Sequence, residues 1–404
     1  MQVKLIALAI AVLAARLLHA ADSEKGATAK KVSAPILFPS LSVRDTNGHS
    51  IPLLSLEAYR AEFRYLKQTF LQIDLNGPAV VTDGWTTNIA EAEWPFMAFA
   101  YFGYACANLA RLDDSFRTEA LGEMRWLIEA LQTPRMSGFV RPHFGEPFGS
   151  GPLTPSVFVH GHFLSLAVRY REVSGDARYD QQIHRVAGSL NQAFQASRQG
   201  ILKSYRDMWW ISDNLPALSA LVRYDRLFQR DTSAARQKFL QHVKAHYLDA
   251  NTRLLCTYVD AETVQQIQGA RGISTMYGLH FLRDVDPVFA TEQYQLAHRY
   301  FIREVFGVAA VREFPHEAEG FGDIDSGPLI FGFGPSASGF AIPATAVMKD
   351  TATTKALLKA AVVAGLPELR AGELAYTIMP PVGQAVILFG KTELWASADL
   401  ANRK

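Results

Sequence analysis

The segment VFVHGHFLSLAVRYREVSGDARYDQQIHRVAGSLNQAF, residues 157–194, holds two helical patterns of opposite character. Its first half, GHFLSLAVRYREV, is apolar and rich in small residues nearly all round, which marks a helix buried on every side. Its second half, ARYDQQIHRVAGSLNQAF, carries one apolar stripe and a charged face suited to water. The same couple recurs as LPALSALVRYDRLF followed by SAARQKFLQHVKAHYL. Periodicity predicts helices over 56–73, 89–112, 115–131, 157–173, 177–196, 214–228, 233–247, 272–282, 287–306, 336–348 and 351–364, with a weaker one near Leu394.

The buried members open near Glu93, His162, Asn214, Ser274 and Ser338. Successive spacings of roughly 50 to 70 residues match one helical hairpin with its loops. Five or six such hairpins closed in a ring give an all-α fold, an (α/α)6 toroid with inner and outer helix rings. No residue-level repeat is visible, so an open solenoid is disfavoured. In a toroid the inner helices all start at one mouth, and the segments before them gather around one cavity.

The ends and composition bound the rest. Residues 1–20 read as a signal peptide, with Lys4, an uncharged apolar run and a small residue at Ala20. That run is about half of the ~20 residues that a membrane span needs. Residues 21–50 read as a flexible segment and 51–404 as a single toroid domain, exported to the periplasm or secreted, with no membrane partner after cleavage. The net charge of +1 gives no reason to invoke nucleic acid. Cys106 and Cys256, the two cysteines, read as core thiols. No HExxH or CxxC pattern marks a metal site, no glycine-rich phosphate loop occurs, and no cofactor is expected.

The segments at the predicted mouth carry the unusual residues. VVTDGWTTNIAEAEWPF holds Asp83, Trp85, Glu91, Glu93 and Trp94; VFVHGHF holds His160 and His162. SYRDMWWISDN holds Ser204, Tyr205, Asp207, Trp209, Trp210 and Asp213, and DIDSGP holds Asp323 and Asp325. Carboxylates beside indoles are costly to bury without partners, so their concentration at one end points to a small-molecule cavity. Asp213 suits a helix cap and a site equally, because a helix N-terminus holds a carboxylate in place. Asp207, beside two tryptophans, is either a desolvated acid or an ion-paired loop residue. His162 is either a core histidine or a proton-transfer group, and Asp83 either a turn residue or a site acid. Trp94 reads as core packing. The expected catalytic set is Asp83, His162, Asp207 and Asp213. Around it, Trp85, Glu93, His160, Ser204, Tyr205, Trp209, Trp210 and Asp325 would bind substrate.

VHGHFLSLAVRYREVSGDARYDQQIHRV, SYRDMWWISDNLPALSALVRYDRL, GARGISTMYGLHFLRDVDPVFA and DIDSG resemble the linalool dehydratase/isomerase family in order and spacing. The resemblance spans roughly residues 157–344. It implies an exported α/α toroid, a ring-shaped homo-oligomer, and acid–base chemistry on a small terpene alcohol without metal or organic cofactor. The family's catalytic histidine falls on His162 and its early acid on Asp83. Its two catalytic cysteines fall on Ser204 and on Asp213, or on Ser212 one register away, so both thiols are missing here. A serine hydroxyl does not replace a thiolate without a base beside it.

Three functions follow. The first is a cofactor-independent lyase or isomerase acting on a small hydroxylated substrate. The second is a carbohydrate-active toroid, a glycosidase, polysaccharide lyase or epimerase, with tryptophans stacking on sugar rings. The third is a non-catalytic binding or assembly protein, favoured if Asp83, His162, Asp207 and Asp213 fail to converge.

Overall fold

The computed structural model describes residues 40–45, 48–80, 89–205, 207–315 and 320–402. The predicted signal peptide lies outside the described residues. Twelve long helices alternate between an outer and an inner ring. The outer ring is α1 (Leu56–Leu71), α3 (Arg117–Leu131), α5 (Asp180–Ala196), α7 (Ser233–His246), α9 (Pro287–Tyr300) and α11 (Thr351–Gly365). The inner ring is α2 (Ile89–Leu112), α4 (Val157–Ser174), α6 (Ile211–Phe228), α8 (Gly272–Val285), α10 (Pro335–Val347) and α12 (Pro381–Asn402). Each inner helix packs on the next, and α12 packs back on α2, which closes the (α/α)6 toroid.

Burial follows the two patterns. Every residue of α4 from Val157 to Tyr170 is buried, whereas α5 buries only Ile183, Val186, Ala187, Leu190 and Phe194, a single stripe. Small residues let the inner helices approach. A Cβ on Gly161 would lie 2.9 Å from the Ala217 backbone nitrogen of α6, and one on Gly390 would lie 2.8 Å from that of Pro343 in α10. The two cysteines are free and buried.

The connections are asymmetric. Inner-to-outer links run from one residue (286) to five (175–179), whereas outer-to-inner links run from 14 residues (197–210) to 34 (301–334). The short links tie one end of the barrel. After an N-terminal pair, β1 (Ser42–Arg44) and β2 (Ser50–Pro52), the remaining short strands lie in the long links, which collect at the N-terminal mouth of the inner helices: β3 (Trp209–Trp210), β4 (Tyr258–Asp260), β5 (Gln265–Gln268), β6 (Ile302–Val305), β7 (Val308–Val311), β8 (Pro367–Arg370) and β9 (Glu373–Tyr376). They form one three-stranded sheet, β3-β4-β5, and two hairpins.

Three expectations are corrected. The helix expected over 287–306 stops at Tyr300, because IREV and VAAV pair as a hairpin about Phe306 and Gly307, both at positive φ. The weak helix near Leu394 is the full inner helix α12, whose QAVILF stretch shows no amphipathic period because it is buried all round. The flexible segment expected over 21–50 ends earlier, since Ser42–Arg44 pairs with Ser50–Pro52 as a hairpin whose Val43 and Ile51 join Leu53 and Leu374 in a small core.

Candidate active site

A cleft of about 700 Å³, counting its open mouth, lies at the N-terminal ends of the inner helices. Glu93, Trp94 and Met97 of α2 form one wall, and Ser212 and Asp213 of α6 another. Ile273, Ser274 and Tyr277 come from α8 and Phe340 from α10, while the long link before α10 supplies Ile324 and Asp325. Tyr205 and Trp210 complete the lining from the link before α6.

Three carboxyl groups from three separate elements thus share one desolvated space, and their proton affinities are spread. Burial pushes Asp213 from its ordinary 3.8 up to about 7, with Asp325 adding to the rise and a hydrogen bond from the Ser204 hydroxyl opposing it. Asp213 sits in the first turn of α6, where the helix dipole favours its charged form by about 0.3–1 kcal/mol; burial outweighs that here. Asp325 is pushed up to about 6 by burial and by Asp323, against the pull of Arg271. Glu93 is raised well above its ordinary value by burial and by both aspartates, although the Tyr205 hydroxyl donates to its Oε2. Asp325 thus holds its proton less tightly than Asp213, and Glu93 is pushed toward its protonated form. Groups pushed apart in this way can divide the roles of acid and base.

The remaining expected site residues are distributed as follows. His162 is fully buried beneath the cleft; its Nδ1 pairs with the Tyr104 hydroxyl and its Nε2 with the Tyr277 hydroxyl, each at 2.8 Å. Burial lowers its pKa to about 3, so the ring is neutral and reaches the cleft only through Tyr277. His160 is not a substrate contact. Its ring nitrogens lie 3.1 Å from the Ser156 carbonyl and 2.7 Å from the Pro147 carbonyl, pinning the link before α4 to the barrel. Asp207 is corrected likewise: it stands at positive φ outside the cleft, its side chain 71% exposed and ion-paired with Lys203. Trp209 and Trp210 are successive strand residues and face opposite ways. Trp210 lines the cleft and stacks on Tyr258, whereas Trp209 is buried under the Lys203 ammonium. Ser204 is buried beside the wall, where its hydroxyl accepts from the Trp210 amide at 3.4 Å and favours the ionised form of Asp213. Asp83 and Trp85 lie outside the described residues.

Of the expected catalytic set, Asp213 lines the cleft, His162 lies beneath it and Asp207 stands outside it; among the described residues Asp213 is joined by Glu93 and Asp325. Trp94, read as core packing, is a wall residue. Tyr277 was missed, although its place one turn into a buried helix, level with Glu93 in α2, was the available signal.

No protein-family model and no curated protein matches the chain. Solved structures do. An alpha-1,6-mannanase of glycoside hydrolase family 76 from Salegentibacter sp. HEL1_6 superposes with a TM-score of 0.53 at 11% identity, covering 84% of this chain and 99% of that one. A family 105 glycoside hydrolase from C. acetobutylicum gives 0.52 at 10% identity, covering 83% and 99%. An unsaturated glucuronyl hydrolase specific for heparin gives 0.55 at 13% identity, covering 86% and 97%. At such identities the likeness is one of fold, and it is the α/α toroid built by glycoside hydrolases.

Proposed function

We propose that this chain is an exported, glycan-active enzyme that cleaves a glycosidic bond by acid–base chemistry in the mouth cleft. The observation that carries the reading is the convergence of Glu93, Asp213 and Asp325 on one aromatic-walled space with separated proton affinities. Asp213, protonated near pH 7, gives its proton to the glycosidic oxygen as the C–O bond breaks. Asp325, ionised, takes a proton from the water that attacks the anomeric carbon, so one water is consumed and both products leave neutral. Glu93 stays neutral, donates to a sugar hydroxyl, and is held by Tyr205. Trp94, Trp210 and Phe340 offer flat apolar faces to the ring. The described lining holds three carboxyls and no Lys, Arg or His, which favours a neutral glycan over a uronide.

One observation supports a second reading, the dehydration or isomerisation of a small alcohol. Ser204 and Asp213, where the resemblance places the family's two cysteines, come together at the cleft wall, and the Ser204 hydroxyl favours the ionised form of Asp213. The test is a screen of purified protein against neutral manno-, gluco- and xylo-oligosaccharides, an unsaturated uronide, and linalool. Wild type, Asp213→Asn and Asp325→Asn are run side by side. Release of reducing ends from a neutral oligosaccharide, lost in both variants, is expected. Turnover that survives both variants refutes the assignment, and consumption of linalool alone selects the second reading.

A further inference from the structure

Arg271 occupies the N-cap position of α8 and is 2% exposed. Its Nε donates to Glu313 Oε1 at 2.7 Å, and its Nη1 and Nη2 donate to the two oxygens of Asp323 at 2.6 and 3.0 Å. Glu313 is itself fixed, since its carbonyl accepts the Gly272 amide at 2.8 Å. Asp323 Oδ1 accepts the amides of Asp325 and Ser326 at 3.1 and 3.0 Å, and the Ser326 hydroxyl accepts the Asp323 amide at 2.9 Å. A planar guanidinium is the one side chain that can hold a carboxylate by a two-pronged fork and still reach a second.

We propose that Arg271 is a positioning residue of this site: anchored by Glu313, it grips Asp323 and so fixes the turn that presents Asp325 to the cleft. The proposal rests on Asp325 being the base of the reaction above. It also has an electrostatic side. Asp325 faces Glu93 from α2 and Asp213 from α6, while Asp323 acts on it from its own turn and Arg271 from α8. Asp323 favours the protonated form of Asp325 and Arg271 the ionised form. Two substitutions in one ion pair should therefore move Asp325 in opposite directions.

The experiment is a carboxyl-carbon NMR titration of the full chain labelled at aspartate, with Asp325→Asn to assign the signal. In Arg271→Gln the midpoint of Asp325 is expected to rise by about one pH unit, and in Asp323→Asn to fall by about as much. An asparagine still accepts the two amides, so the turn is kept in the second variant. A midpoint that moves the same way in both variants, or in neither, overturns the proposal. Should Arg271→Gln fail to fold, Arg271→Lys keeps the charge without the fork. Its expected result is a midpoint within a few tenths of wild type, with weaker protection of the Asp325 and Ser326 amides; unchanged protection there overturns the proposal. The titration needs no substrate. Opposite shifts in a protein that hydrolyses no glycan leave the positioning role standing and remove the glycan reading, whereas hydrolysis without the shifts removes this inference alone.

Discussion

Replacing Asp213 by asparagine should abolish activity and make the protein more stable at alkaline pH. The folded chain holds the Asp213 proton with a pKa of about 7, against an ordinary value of 3.8. Because the folded value is the higher one, the folded state binds the proton more tightly than the unfolded state between those limits. Stability is therefore fully present below about pH 4 and is lost as the pH rises through 7. A shift of about three units at 1.36 kcal/mol each puts the loss on the order of 4 kcal/mol by pH 8. Relaxation and water entry into the open cleft would trim this to roughly 2–4 kcal/mol. The asparagine carries no charge to desolvate and can still accept from Ser204, so the variant escapes the loss. With about 2.1 cal/mol/K of unfolding entropy per residue, 2–4 kcal/mol over this chain is a rise in Tm of roughly 2–5 °C. Scanning calorimetry of wild type and variant at pH 5 and pH 8 measures it. The expected gap is small at pH 5 and several degrees at pH 8, with the variant the more stable. A variant equally or less stable than wild type at pH 8 would show that Asp213 is solvated, and its role as acid would fall with it.

Other consequences are separable. Glu93→Gln exchanges one neutral group for another if Glu93 keeps its proton, so kcat should fall less than tenfold while Asp213→Asn costs at least a hundredfold; equal losses in steady-state assays would reverse the two roles. The pH–rate profile should be a bell with limbs near 6 and 7, for Asp325 and Asp213. His162→Gln should lower kcat through Tyr277 yet leave both limbs in place, because a ring with a pKa near 3 does not titrate there. Lys391 of α12 and Glu62 of α1 form a buried ion pair that helps close the ring. Lys391→Met should cost about 3–5 kcal/mol in urea unfolding by stranding the carboxylate, and adding Glu62→Leu should restore most of it.

The ring was legible because a buried inner helix and an amphipathic outer helix look different in one sequence, and the mouth was legible because its acids and indoles cluster in the long links. Glu93, Asp213 and Asp325 were all picked out that way. What the pattern does not carry is direction. His160 and His162 differ by two residues on one helix, so one clamps a link and the other lies under Tyr277. Trp209 and Trp210 sit on a two-residue strand whose partner, Val259 and Tyr258, is distant in sequence, so no local alternation tells which indole faces the cleft. Asp207 looked desolvated because of those indoles, yet its positive φ turns it outward to Lys203. Such choices are made by tertiary partners, not by neighbours in the chain.

The two ends of the barrel treat charge in opposite ways, and this is the argument for function that does not depend on any likeness. At the end tied by short links, Arg223 of α6 pairs with Asp284 of α8 at 2.9 Å and with Glu172 of α4 at 3.2 Å. Arg111 of α2 reaches the same Glu172, Ser219 donates to Asp284, and Asn108 donates to Glu393 of α12. Glu172, Asp284 and Glu393 each have a partner on a neighbouring inner helix, and the network staples the ring. At the mouth, Asp325 raises the proton affinity of Glu93 and Asp213, Asp213 adds to that of Glu93, and the donor to Glu93 is the neutral Tyr205 hydroxyl. Arg271 forms its ion pairs with Glu313 and Asp323 and acts on Asp325 only through space. A fold able to neutralise buried acids at one end and leaving three mutually opposed at the other gains nothing structural from them. Their cost in stability is what the proposed acid–base site would require.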